Sequence, residues 1–125
     1  MKLREAIEKV NRLKENEYGE SQIAEWVTEL ENYMIDNVFN KAEGFDYEKK
    51  EYEYEESAEE ELLVPDPYSE LYVHYIASKI DYWNREMDSY NNSVAMYNAA
   101  YQNFANHMRR MYKPKSSVNR KIWLH

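Results

Sequence analysis

Apolar residues recur at steps of three and four along most of this chain, the period of an α-helix with one buried face. Leu3, Ala6, Ile7, Val10 and Leu13 predict a short amphipathic helix over about 2–14. Residues 16–19 interrupt it, and Ser21 is a suitable N-cap for a second helix. That helix carries Ile23, Trp26, Val27, Leu30, Tyr33, Met34 and Val38 on one face to about Asn40, with Gly44 marking its end. Pro65-Asp66-Pro67 opens a third helix: Asp66 can cap it, and Pro67 suits a first helical position, where a missing N–H costs nothing. Tyr68, Leu71, Tyr72, Tyr75, Ile76, Ile80, Trp83, Met87 and Tyr90 form its stripe. The stretch 88–93 is the weakest helical one, so a bend is expected there. Val94, Tyr97, Tyr101, Phe104, Met108 and Met111 form the facing stripe of a fourth helix, stopped by Pro114. Ala95, Ala99, Ala100 and Ala105 would allow close helix approach.

The expected fold is therefore mainly α. It is a small bundle built on a long helical hairpin, about 67–88 and 93–112, with two shorter N-terminal helices. One segment breaks the period. In FDYEKKEYEYE (45–55), Phe45, Tyr47, Tyr52 and Tyr54 alternate with acids around a central EKKE. Alternation of period two points to a short β-hairpin or an extended arm with aromatics on one side. A disordered acidic loop is the plainer reading, because two strands alone are marginal in water unless they dock on something.

Charge sharpens this division. The net charge of −8 is uneven: residues 43–61 hold ten acids against Lys49 and Lys50, while 109–125 hold six bases and no acid. The chain thus reads as one helical domain over 1–114, containing an acidic arm at 43–61, followed by a basic tail at 115–125. Its 125 residues suffice for one modest core. Only two glycines and three prolines disfavour a turn-rich β fold. Without cysteine there is no disulfide and no thiolate metal site. The start, MKLREAIEKV, lacks the apolar run of a signal peptide, and no segment approaches the roughly 20 apolar residues of a membrane helix.

Little in the sequence carries chemistry. His74 falls opposite the apolar stripe of the third helix, His107 on the flank of the fourth, and His125 in the tail. None has a partner at metal-ligand spacing, and Glu70 four residues before His74 suggests a surface pair. Lys79 and Glu86 lie near one stripe, where a snorkelling lysine is the commoner arrangement. Two glycines cannot build a phosphate loop, and no serine sits in a nucleophile elbow. No catalytic, metal or cofactor site is expected. Thirteen tyrosines exceed what a small core buries, so some are expected at an interface, where an aromatic body with a polar tip is favoured. The candidate interface residues are Phe45, Tyr47, Tyr52 and Tyr54 of the arm with Arg109, Arg110, Lys113, Lys115, Arg120, Lys121 and Trp123 of the basic end. Phosphate contact by that end is a weaker reading, since an acidic body repels a polyanion.

The run 62–114 also resembles a family. It contains LLVPDPYSELY (62–72) before the long helix, YNN (90–92) at the expected bend and YNAAY (97–101) in the last helix. This pattern is similar to that of head–tail connector, or head-completion, proteins of tailed phages and prophages. The resemblance implies a non-enzymatic virion subunit that assembles as a ring and joins the portal to the tail or stopper proteins. DNA would meet it only by passage through a channel, without a membrane or small-molecule substrate. Its place would be the host cytoplasm during assembly and then the virion neck. The opposite charges suit a head-to-tail contact in which the arm at 43–61 meets the basic end, 109–121, of a neighbour. A helical protein–protein adaptor without a virion role is the alternative, and a small enzyme or nucleic-acid-binding regulator a third.

Overall fold

The computed structural model describes residues 1–115, so Arg120, Lys121, Trp123 and His125 lie outside the described residues. Five helices follow in order: α1 (Leu3–Leu13), α2 (Glu20–Asn37), the one-turn α3 (Tyr54–Ser57), α4 (Glu70–Trp83) and α5 (Met87–Met111). Short 3-10 turns at Phe39–Lys41 and Asp66–Tyr68 extend α2 and precede α4. The protein is a small, mainly helical bundle, with α4 and α5 as its dominant pair and α1 and α2 packed on α4. The core takes Leu3, Ile7 and Val10 from α1 and Ile23, Val27, Leu30 and Met34 from α2. Leu71, Tyr72, Ile76 and Ile80 of α4 meet them, with Phe104 and Met108 of α5. Burying each such side chain contributes roughly 1.5–3 kcal/mol.

The helix boundaries depart from expectation in three places. Gly19, not Ser21, is the N-cap of α2. Asp66 does not cap α4; residues 66–68 form a 3-10 turn, and an Asp66 oxygen accepts from the Met1 amino nitrogen at 2.5 Å. The bend of the hairpin is at 84–86 rather than 88–93, and Tyr90, Asn91 and Asn92 belong to α5. The cause is local. Arg85 adopts φ +60°, and the Glu86 N–H donates to the Asp81 carbonyl at 2.9 Å while the Arg85 N–H donates to that of Tyr82 at 3.1 Å. This is a Schellman termination, a position usually given to glycine. Stacking on α4 then makes helix of the weak stretch 88–93, since tertiary packing overrides propensity.

The expected α4 stripe is likewise cut short. It stays buried to Ile80, but Trp83 and Met87 turn outward and are more than half exposed. Ala95 and Ala99 face solvent too, so of the alanines expected to ease helix approach only Ala105 is buried and Ala100 partly so.

No β-hairpin forms over 45–55: residues 45–53 run as an extended segment without strand pairing, and Tyr54 begins α3. The far end of the arm returns to α1. The N–H groups of Leu3 and Arg4, orphans of the first helical turn, donate to the carbonyls of Glu60 (3.1 Å) and Ala58 (2.9 Å).

Candidate interaction surface

Four residues at four-residue spacing, Thr28, Asn32, Asp36 and Asn40, make a polar stripe along α2 and its 3-10 extension, and the arm runs antiparallel along it. The Asn40 amide brackets Tyr47, donating to its carbonyl at 2.8 Å and accepting from its N–H at 2.9 Å. Asn32 brackets Lys50 in the same way at 3.1 and 3.3 Å. Asp36 pairs with Lys49 at 2.7 Å, and the Thr28 hydroxyl accepts the Tyr52 N–H at 2.9 Å. Side-chain amides thus supply the bonds that a neighbouring strand would have supplied, which is why an alternating segment lies extended without a sheet.

The arm ends in a buried clamp. Glu31 of α2 is almost wholly buried. Its carboxylate accepts the hydroxyls of Tyr52 and Tyr72 and, at 2.7 Å, the Leu63 N–H. The Tyr72 oxygen in turn accepts the Val64 N–H at 3.0 Å. Burial, reinforced by the Glu31 charge, pushes both phenols up from their ordinary value, so they stay protonated donors. Tyr52 is therefore an internal fastener and not a surface contact. Phe45 is half-buried among Phe39, Tyr47 and Tyr112, with its ring 4.8 Å from that of Tyr112. Tyr47 is exposed and Tyr54 half-buried.

The arm's acids fall into two groups. Glu59 pairs with Arg4 (2.6 Å) and Lys2 (3.2 Å), Glu60 with Lys50 (2.7 Å) and Glu61 with the Met1 amino group (3.0 Å). Hydrogen bonds from Arg4 and then Lys2 hold the Glu59 carboxyl at about 2. Glu43, Asp46, Glu48, Glu51, Glu53, Glu55 and Glu56 have no ion-pair partner among the described residues. The same is true of Lys41 in the turn after α2 and of Arg109, Arg110, Lys113 and Lys115 at and just beyond the end of α5. The arm and the basic end do meet inside one subunit, but through the backbone. The Glu43 N–H donates to the Lys113 carbonyl at 2.7 Å, the Lys115 N–H to that of Lys41 at 2.9 Å, and the Lys115 ammonium to that of Phe45.

A second buried carboxylate holds the other end of the bundle. Asp81 of α4 is fully buried; one oxygen accepts from the Ser93 hydroxyl of α5 at 2.7 Å and the other lies 2.9 Å from the Lys14 ammonium beyond α1. Glu70 pairs with Lys9 at 2.6 Å rather than with His74, Lys79 lies over the Tyr75 ring at 5.4 Å rather than on Glu86, and His107 stacks on Tyr68 at 4.7 Å. Among the described residues, no three His, Asp or Glu side chains are grouped to hold a metal ion, and no helix is long and apolar enough to cross a membrane.

Among the described residues, two surface features carry apolar side chains. One is the hairpin tip, where Tyr82, Trp83 and Met87 are each about half exposed. The other is a groove of about 510 Å³ between the end of α2 and the C-terminal half of α5, in which the exposed Lys41, Gln102, Arg109 and Tyr112 and the half-buried Tyr101 surround the buried Val38, Ala42, Ala105 and Met108. The sequence pattern assigned Trp83 and Met87 to the core and gave no sign of the groove, which needs both helices in place. Glu31 was legible in principle, since it follows Val27 by four residues and precedes Met34 by three on the buried face. No protein family, no curated protein and no solved structure matches this chain.

Proposed function

We propose that this chain is a non-enzymatic phage or prophage structural protein, a head–tail connector subunit that joins portal to tail by ring assembly. The resemblance of 62–114 motivates the reading. The observation that carries it is the exposed aromatic and apolar tip of the hairpin, Tyr82, Trp83 and Met87, in a chain whose two buried carboxylates both have internal partners. A subunit of this kind presents contact surface rather than reactive groups. Tyr47, Arg109, Arg110, Lys113 and the unpaired acids of the arm would add the polar rim by which portal, tail or neighbouring copies are told apart.

Mass spectrometry of purified particles after prophage induction tests this. The protein is expected at a stoichiometry near that of the portal. Its absence from intact tailed particles removes the connector reading and leaves the helical adaptor. A charge-driven contact between arm and basic end is tested separately by removing residues 116–125. Truncation at 113 would also cut the bonds that tie Lys113 and Lys115 to Lys41, Glu43 and Phe45. Assembly of the shortened chain should weaken and lose salt sensitivity; unchanged assembly counts against that contact.

A further inference from the structure

We infer that the outer edge of the arm, from Asp46 to Glu53, takes up the basic segment 116–125 of a second copy as an added antiparallel strand. The inference rests on the contact between arm and basic end named above and assigns its mode: main-chain pairing, with charge as the selector.

The arm is a strand with one edge in use. Tyr47 and Tyr52 are tied to Asn40 and Thr28, about 18 Å apart along α2 at 1.5 Å per residue. The chain between them covers that distance only when extended, at about 3.3 Å per residue. The main-chain groups of Tyr47 and Lys50 and the N–H of Tyr52 are bonded to α2 side chains. Those of Asp46, Glu48, Lys49 and Glu51 have no partner among the described residues, and all four residues are exposed. Such a row of free donors and acceptors is a template for a further strand.

Charge, sequence and reach name the occupant. The arm's unpaired acids include Asp46, Glu48, Glu51 and Glu53 along this edge. Of the nearby bases, Lys49 and Lys50 are engaged by Asp36 and Glu60 and Lys115 by the Phe45 carbonyl, which leaves Lys41 and Lys113 at the root of the arm. The edge therefore draws in a basic segment, whereas a second arm would set acid against acid. Residues 116–125 carry Arg120 and Lys121 and no acid; Val118, Ile122 and Trp123 are types that suit strands, and no proline withholds a donor. The basic end already pairs through its main chain, in the antiparallel bridge of Ala42 with Pro114. The edge from Asp46 to Glu53 spans about 23 Å, and Lys115 lies at its Phe45 end. To run antiparallel, a subunit's own segment would first have to cross the whole edge, leaving about three residues to return. A second copy enters from the far end, and parallel addition within one subunit gives the weaker ladder.

The chain has no cysteine, so single cysteines report the contact directly. Full-length Glu48→Cys is mixed with full-length Ser117→Cys and oxidised at up to about 1 mM, the weak limit of useful affinity. The expected result is a mixed disulfide well in excess of either self-linked product. Glu51→Pro in the Glu48→Cys chain removes a donor that has no partner among the described residues. The subunit's helical circular dichroism should stay unchanged while the mixed product falls about fivefold, the contribution of one ladder bond. Glu51→Gln, which keeps the donor, should lower it less. A peptide of residues 116–125 should compete the mixed product away, and the same peptide N-methylated at alternate residues should not, a comparison that holds whether or not proline disturbs the arm. Equal competition by both peptides means a contact of charge alone and overturns the strand. An excess of self-linked Glu48→Cys overturns it in favour of arm against arm. A disulfide that closes only within the doubly substituted chain Glu48→Cys/Ser117→Cys puts the segment on its own arm and overturns the second copy, and no disulfide at all overturns the whole inference. The two readings fail separately. Protein in the particles without a mixed disulfide keeps the connector and removes this contact, whereas a mixed disulfide from a protein absent from particles keeps the contact and removes the connector.

Discussion

The acidic arm and the hairpin tip are held in opposite ways. The arm is polar, yet Asn32, Asn40 and Thr28 bind its backbone, Asp36 binds Lys49 and Glu31 binds the hydroxyl of Tyr52. The tip is apolar, yet it is fixed only from behind, by the Schellman bonds at Arg85 and by Asp81 reaching Ser93 and Lys14. Its outer rings meet one another and the first turn of α5: Tyr82 lies 5.2 Å from Trp83 and 5.5 Å from Tyr90. Polarity therefore does not identify the part of this molecule that is free to meet a partner. What matters is whether the hydrogen-bonding and apolar groups of a segment are already matched inside the subunit.

Removing the arm's clamp is the strongest way to break that contrast. Glu31→Ala leaves two buried hydroxyls and the Leu63 N–H without an acceptor, each worth about 1–3 kcal/mol. We expect a loss of about 3 kcal/mol or more in urea denaturation. A loss under about 1 kcal/mol would mean that the clamp does not hold the arm.

High pH should act on the same clamp and its surroundings. Burial pushes the phenols of Tyr75 and Tyr101 up to about 12, helped by Glu29 and Tyr33 respectively, and raises Tyr52, Tyr72 and Tyr97 as well. Unfolded phenols ionise near about 10. The stabilisation is therefore complete below about pH 10 and lost as pH rises through the folded values. Ionisation of these five phenols should coincide with loss of helical signal; their free titration in a still folded chain would contradict the burial.

Asn32→Ala and Asn40→Ala should each cost about 1 kcal/mol, because water can replace part of what each half-buried amide supplies. Hydrogen exchange at Tyr47 and Lys50 should quicken while the amides of α4 stay protected. Uniform acceleration across the bundle would show that arm and body unfold together.

At the tip the expected sign reverses. Arg85 holds a left-handed conformation that costs a non-glycine residue about 1–2 kcal/mol, and glycine returns part of that as backbone entropy. Arg85→Gly should stabilise the fold by roughly 0.5–1 kcal/mol. A loss of stability would show that the arginine side chain, not the turn, matters there.

Much of the architecture was readable before any coordinates. The steps of three and four placed α1, α2 and the two helices of the hairpin, and Gly44, at φ +94°, does mark the turn after α2. Such features depend on residues close in sequence, so local periodicity and turn chemistry suffice to find them. The opposite charges of 43–61 and 109–125 were equally plain. The bend, the arm and the open surfaces were not. The bend fell at 84–86 because Arg85, a residue without glycine's freedom, takes the left-handed turn that ends α4, and a helix start with weak propensity became helical once stacked on α4. The arm took its shape from a polar stripe on α2 that spacing alone could show but could not pair with a distant segment. Tyr52 and Trp83 exchanged their expected roles for the same reason. Whether an aromatic residue is core or surface depends on which element arrives opposite it, and that is settled only when distant parts of the chain meet.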